Sequence, residues 1–143
     1  MTQASVTDHV IRLRGPWTYL MESGQATESV RLPFTKPLPE PWRGASELIV
    51  AKRKFNCPSG LTPTDVVRLT IARRGPLAKV QLNDEPLPIS DERATVLEWN
   101  ITALLVPFNE LRISFAGSAI DLATFSSPVA QVELRISAGS NGN

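Results

Sequence analysis

The decapeptide AKVQLNDEPL, Ala78 to Leu87, sets two short alternating segments around an Asn-Asp pair with a glutamate beside it. Val80 and Leu82 share one parity before the pair, and Leu87 follows it. Asn83-Asp84-Glu85 is therefore either the tight corner of a β-hairpin or an acidic site. A two-residue hairpin turn needs positive φ at its centre, and Asn and Asp are the non-glycine residues that tolerate it best. A corner accounts for these residues without a ligand. The alternative is a hard-cation site, because Ca2+ takes carboxylate and carbonyl oxygens. On that reading Asp84 and Glu85, with Asp91 and Glu92 as a second acidic pair, are the calcium candidates. Neither pair has the repeated oxygen-ligand spacing of a dedicated calcium loop.

The same period of two extends outward along most of the chain, the mark of strands with one face on a core and one in water. Ile11 and Leu13 alternate with arginines, Trp17 and Tyr19 alternate in WTYLM, and Val30 and Leu32 in VRL. LIVAKRKF runs from Leu48 to Phe55, and Val67, Leu69 and Ile71 alternate in VVRLTIA. After the hairpin come Leu97 and Trp99, then Leu111, Ile113 and Phe115, then Val132, Leu134 and Ile136. That makes about nine short strands. Helix signals are scarce, since 12 prolines fall where helices would start, and each breaks an interior turn. NITALLVPFN has room for one turn after an Asn100 or Thr102 cap, ended by Pro107. Many short strands with such punctuation read as a sandwich or barrel. The segment from Pro33 to Gly44, with four prolines, cannot be a central strand. It reads as an extended surface crossing from one sheet to the other.

The totals narrow the function classes. A chain of 143 residues with 42% apolar residues is one domain with a core of its own, not a disordered segment. Fifteen basic side chains nearly cancel 14 acidic ones, for a net charge of +1. That gives no broad field to steer nucleic acid or an anionic membrane, so neither partner is expected. No apolar run approaches the roughly 20 residues of a membrane helix. The lone Cys57 fits a reducing compartment, and the start MTQASVTDHVIRLRG has no basic stretch leading into an apolar one. A cytoplasmic location is the expectation, although a domain excised from a longer secreted chain would look the same. Residues 1–9 are expected as a flexible lead-in, 10–136 as the sandwich and 137–143 as a disordered tail.

Several segments fall in order into one pattern: RGPWTYL, VRLPF, PWRG, AKRKFNCPSGL, VVRLTI, AKVQLNDEPL, EWNITALLVPFNELRISF and VAQVELRI. Together they resemble the sugar-binding-like domain of family 2 glycoside hydrolases, the β-galactosidase and β-glucuronidase group, over most of residues 10–136. The resemblance implies an all-β, two-sheet antiparallel β-sandwich, a jelly roll of the galactose-binding-like type. The sequence departs from the family at the hairpin, where Asn-Gly is replaced by Asn83-Asp84. The family's catalytic glutamates lie in a separate barrel domain, so the resemblance implies a fold and no activity.

Trp17, Trp42 and Trp99 are the candidate sugar platforms. Trp17 and Trp99 stand in strand alternation and are expected in the core. Trp42 lies on the proline-rich crossing with Arg43 beside it, and these two are the candidate ligand-binding residues. The bland reading is that the ring seals the crossing onto a sheet edge and Arg43 anchors it. Lys52 and Lys54 share one face of AKRKF and are expected to be solvated. Arg53 points with Ala51 and Phe55, so it needs a carbonyl or carboxylate partner. His9 and Cys57 are the only histidine and cysteine, too few for a four-ligand zinc site. SGLTP lacks a phosphate-loop pattern, and Glu98 and Glu110 have no spacing that singles them out for acid–base work. No catalytic residue and no cofactor are expected, structural calcium being the one candidate ion. The reading is a non-catalytic module that binds carbohydrate, or alternatively another protein, in an oligomeric state the residues leave open.

Overall fold

In the computed structural model, which describes residues 9–22, 30–34, 36–44 and 47–138, the alternation resolves into two antiparallel sheets. The strands are β1 (His9–Arg12), β2 (Trp17–Met21), β3 (Val30–Leu32), β4 (Leu48–Asn56), β5 (Val66–Arg73), β6 (Lys79–Leu82), β7 (Glu85–Leu87), β8 (Val96–Asn100), β9 (Phe108–Ala116) and β10 (Val129–Ser137). A four-stranded sheet runs β1-β10-β5-β8 and a six-stranded sheet β3-β2-β4-β9-β6-β7. Most neighbours are distant in sequence, because the chain crosses repeatedly between sheets, as in a jelly roll.

All nine expected strands are present, and the tenth is β7, the short second arm of the hairpin. The strands reach one residue past both expected edges, with His9 paired to Ile136 and Ser137 to Val66. Of the rest of the expected lead-in and tail, Ala138 is described and exposed, and residues 1–8 and 139–143 lie outside the described residues.

The two inner faces meet in one core. Ile49, Ala51 and Phe55 of β4, Leu111, Ile113 and Phe115 of β9, and Val80 and Leu82 of β6 come from the larger sheet. Val67, Leu69 and Ile71 of β5 and Val132 and Leu134 of β10 come from the smaller one. Each of these side chains larger than alanine contributes about 1.5–3 kcal/mol by leaving water, which is why register is pinned: a slip of one residue would turn every one of them outward.

The proline-rich crossing behaves differently from a strand. Phe34, Leu38 and Trp42 are buried at intervals of four, Trp42 on a 3-10 turn over Glu40–Trp42. Phe34 lies against Trp17, their ring centroids 4.9 Å apart. The crossing starts where Gly15 meets Pro33, and a Cβ at Gly15 would come within 2.7 Å of the Pro33 Cα. Only glycine lets these two chain segments approach so closely.

Candidate functional site

The opening stretch is a corner. Asn83 has φ 52° and Asp84 φ 70°, the left-handed pair that a type I′ hairpin turn demands. Asn83 does more than tolerate the turn. Its Nδ2 donates to the carbonyl of Leu104 and to Oδ1 of Asn109, and its Oδ1 accepts from the Glu110 amide. Asn109, the buried second residue of β9, in turn accepts from the Val106 amide and donates to the Val106 carbonyl. These side chains tie the hairpin to the segment 104–110.

The calcium candidates do not assemble. Among the described residues no group of three or more histidine, cysteine or acidic side chains comes together. Asp91 is committed elsewhere: its Oδ1 accepts from the Arg93 amide and its carbonyl from Arg73 Nη2 at 3.0 Å. A guanidinium on that carbonyl places positive charge where a calcium ion would need oxygen. Asp84 and Glu85 are exposed at the hairpin tip.

Trp42 and Arg43 are anchors in this structure. Trp42 is only 8% exposed and packs into the core, so its face is not open to a sugar. Arg43 donates through Nε to the carbonyl of Leu38 and stacks over Phe125, 4.2 Å from the ring centroid. Phe125 itself has φ 58° and its carbonyl accepts from the Leu38 amide. The pair therefore fastens the crossing to the segment after β9. Trp17 is fully buried and donates from Nε1 to the Leu13 carbonyl, while Trp99 is half-buried and donates to the Pro88 carbonyl.

An open aromatic stands elsewhere. Phe108, the first residue of β9, is 80% exposed. Its parity is that of Glu110 and Arg112, opposite to inward-facing Leu111 and Ile113, so it lies on the outer face of the six-stranded sheet. It borders a hollow of about 530 Å³ lined also by Lys54, Asn56, Asn109 and Glu110. Sequence reading passed over this ring because Pro107 marked a helix end there. The signal was present: counting back by twos from Leu111 puts position 108 on the outer side.

Beside the hollow, and sharing Lys54 and Glu110 with it, is a second cleft of about 540 Å³. Its walls are Arg14, Gly15, Pro16, Thr18, Arg31, Lys52 and Arg53. The register brings them together across three strands, with Thr18 of β2 opposite both Arg31 of β3 and Lys52 of β4. Arg53 takes the inward parity expected of it and finds the carbonyl partners it needs, donating to Arg14 at 2.7 Å and Lys54 at 3.0 Å. Partial burial lowers its pKa, yet a guanidinium keeps its charge at neutral pH. His9 is exposed on β1 at the edge of the other sheet, and Cys57 is half-buried after β4.

No protein-family model and no curated protein matches the sequence. Solved structures do match. A β-D-glucuronidase from Dictyoglomus thermophilum superposes with a TM-score of 0.72 at 12% identity, over 95% of this chain and 29% of that one. A Faecalibacterium prausnitzii β-glucuronidase gives 0.71 at 13% identity, over 96% and 32%. A β-D-mannosidase from Dictyoglomus thermophilum gives 0.64 at 14% identity, over 88% and 22%. The chain thus has the fold of a β-sandwich domain built into these glycosidases, in agreement with the family that the sequence resembles. It spans no more than about a third of the length of those three structures.

Proposed function

We propose that the chain is a non-catalytic carbohydrate-binding module of the kind associated with larger glycoside hydrolases, and that it binds sugar at the Phe108 hollow rather than at Trp42 and Arg43. The observation that carries this is the 80% exposed ring of Phe108 beside Asn56, Lys54 and Glu110. An apolar ring face receives the C–H side of a pyranose, while amide, ammonium and carboxylate groups around it reach hydroxyls. The backbone that carries the ring is fixed by the Asn109 hydrogen bonds to both polar groups of Val106, which lowers the ordering cost of binding.

The test is titration of oligosaccharides into the labelled chain, following backbone amide shifts. Shifts clustered at Asn56, Phe108 and Glu110 are expected. Phe108→Ala is expected to weaken binding on the order of tenfold, the loss of about 1–2 kcal/mol for one aromatic contact. Binding unchanged in Phe108→Ala, or no shifts with any glycan, refutes the proposal.

A protein-docking module is the second reading, favoured by Leu122, which is 87% exposed in the segment after β9. That side chain stands in the segment after β9, at the other end of the strand from Phe108, and is open to a partner. Light scattering that shows a dimer broken by Leu122→Ser would support it.

A further inference from the structure

We propose that the ligand of this face is an anionic glycan, held by its carboxylate or sulfate groups in the cleft that continues from the Phe108 hollow. This rests on reading that hollow as a sugar site. The cleft wall carries five cations, Arg14, Arg31, Lys52, Arg53 and Lys54, against one carboxylate, Glu110. Glu110 is already bonded to Arg112 at 2.8 Å. The chain as a whole has a net charge of only +1, so this cleft is a local concentration of positive charge.

The two outer faces of the sandwich differ in how their cations are matched. On the four-stranded sheet Glu133 is nearly buried and takes both Arg12 and Arg135 as partners, at 3.4 and 3.1 Å, with Gln131 donating to it as well. Each of those two cations has a carboxylate partner within the protein. On the six-stranded sheet Arg31, Lys52 and Lys54, with Arg14 in the segment leading into β2, have no ion pair among the described residues. Only Arg53 is occupied, and with carbonyls, which leave its charge uncompensated. Clustered like charges repel, so an unmatched group of this size is stabilised by an anion that lies across it.

The shape favours a glycan over other polyanions. Phe108, Glu110 and Arg112 follow one another along β9, with Asn56, Lys54 and Lys52 opposite them on β4. Successive outward residues are about 7 Å apart and neighbouring strands about 4.8 Å. A strip about 14 Å long therefore runs from the ring to the Lys52–Arg112 row, enough for two or three sugar residues. Single-stranded nucleic acid wants a ring for each successive base, and this strip has a ring at one end only. An acidic peptide would bind best by adding a strand at an edge, whereas β4 lies between β2 and β9 in mid-sheet. Thr18 and Asn56 add hydroxyl and amide groups suited to sugar hydroxyls.

The experiment uses the full chain and compares an oligogalacturonate, a sulfated oligosaccharide, a neutral oligosaccharide of equal length and a single-stranded DNA oligomer at low salt. Either acidic glycan is expected to bind at least tenfold tighter than the neutral one, with an affinity that falls as salt rises. Lys52→Gln, Lys54→Gln and Arg31→Gln, all at outward positions, are expected to cost about three- to fivefold each and roughly fifty-fold together. Arg93→Gln, away from the cleft, should leave the affinity unchanged. Amide shifts in the unaltered chain at Thr18, Lys52 and Lys54 give the location independently of any variant. Equal binding of neutral and acidic glycans overturns this inference and leaves the sugar site standing; failure of every glycan overturns both. An acidic preference kept by the triple variant, or tighter binding of the DNA, also overturns it.

Discussion

Asn109→Ala should uncouple the platform from the sheet beneath it. Asn109 is 2% exposed. Its Oδ1 accepts from the Val106 amide at 3.0 Å and from Asn83 Nδ2 at 2.9 Å, and its Nδ2 donates to the Val106 carbonyl at 2.8 Å. A fourth contact, to the Phe55 carbonyl at 3.4 Å, is too long to count for much. Alanine removes three good bonds and strands both polar groups of Val106. At about 1 kcal/mol net for each bond the loss is about 3 kcal/mol. Unfolding entropy of about 2.1 cal/mol/K per residue over 143 residues makes this a fall of about 10 °C in Tm. Circular dichroism melts check that figure, and glycan titration checks the consequence, since the Val106–Phe108 corner would no longer be fixed. A variant that melts within about 2 °C of the parent, less than 1 kcal/mol, would refute the idea that this amide holds the corner.

Two further outcomes follow from single residues. Asp84→Gly relieves a left-handed φ of 70° at a position whose side chain makes no hydrogen bond among the described residues, and should raise stability by about 0.5 kcal/mol in a urea melt. The same change at Asn83 should lower it by about 2 kcal/mol, because three hydrogen bonds go with the side chain; equal effects at the two positions would contradict the difference in their roles. Tyr19 is the only tyrosine, and burial, opposed by a hydrogen bond with Ser127, raises its pKa from 10.0 to about 12. Between those values the unfolded chain has released a proton that the native chain still holds, so stability is unaffected below pH 10 and falls as pH rises from 10 towards 12. Absorbance at 295 nm should show one late phenolate transition, and ionisation at the ordinary tyrosine pKa in the folded chain would contradict the burial of its hydroxyl.

Face assignment was legible from sequence wherever the period of two ran uninterrupted. Lys52 and Lys54 outward, Arg53 inward with a carbonyl partner, and the Asn83-Asp84 corner all follow from parity and turn chemistry alone. Trp42 was harder because its segment has no strand period. The spacing of Phe34, Leu38 and Trp42 was a usable signal, one apolar residue in four on a stiff extended path, and the burial of all three shows what it meant. The basic cleft was not legible at all. Arg31 and Lys52 are brought close by strand order, with β2 inserted between β3 and β4, and no local pattern in either segment encodes that neighbour.

The positions of Trp42 and Phe108 have one physical origin. The crossing that closes the sandwich has four prolines and so few backbone donors that it cannot join the sheet; apart from the Leu38 and Gly44 amides, which donate to the Phe125 and Gly117 carbonyls, it is held by its side chains. Phe34, Leu38 and Trp42 serve that purpose, which consumes the ring on the loop where a binding residue was expected. β9 is held along its whole length by β4 and partly by β6, and the bonds from Asn83 to Asn109 and Glu110 fix its first residues. Its outward side chains are therefore not needed for stability. The Phe108 ring contributes nothing to the core, and that freedom, next to unmatched cations, is why the proposed ligand is placed at the outer end of β9 and not on the crossing.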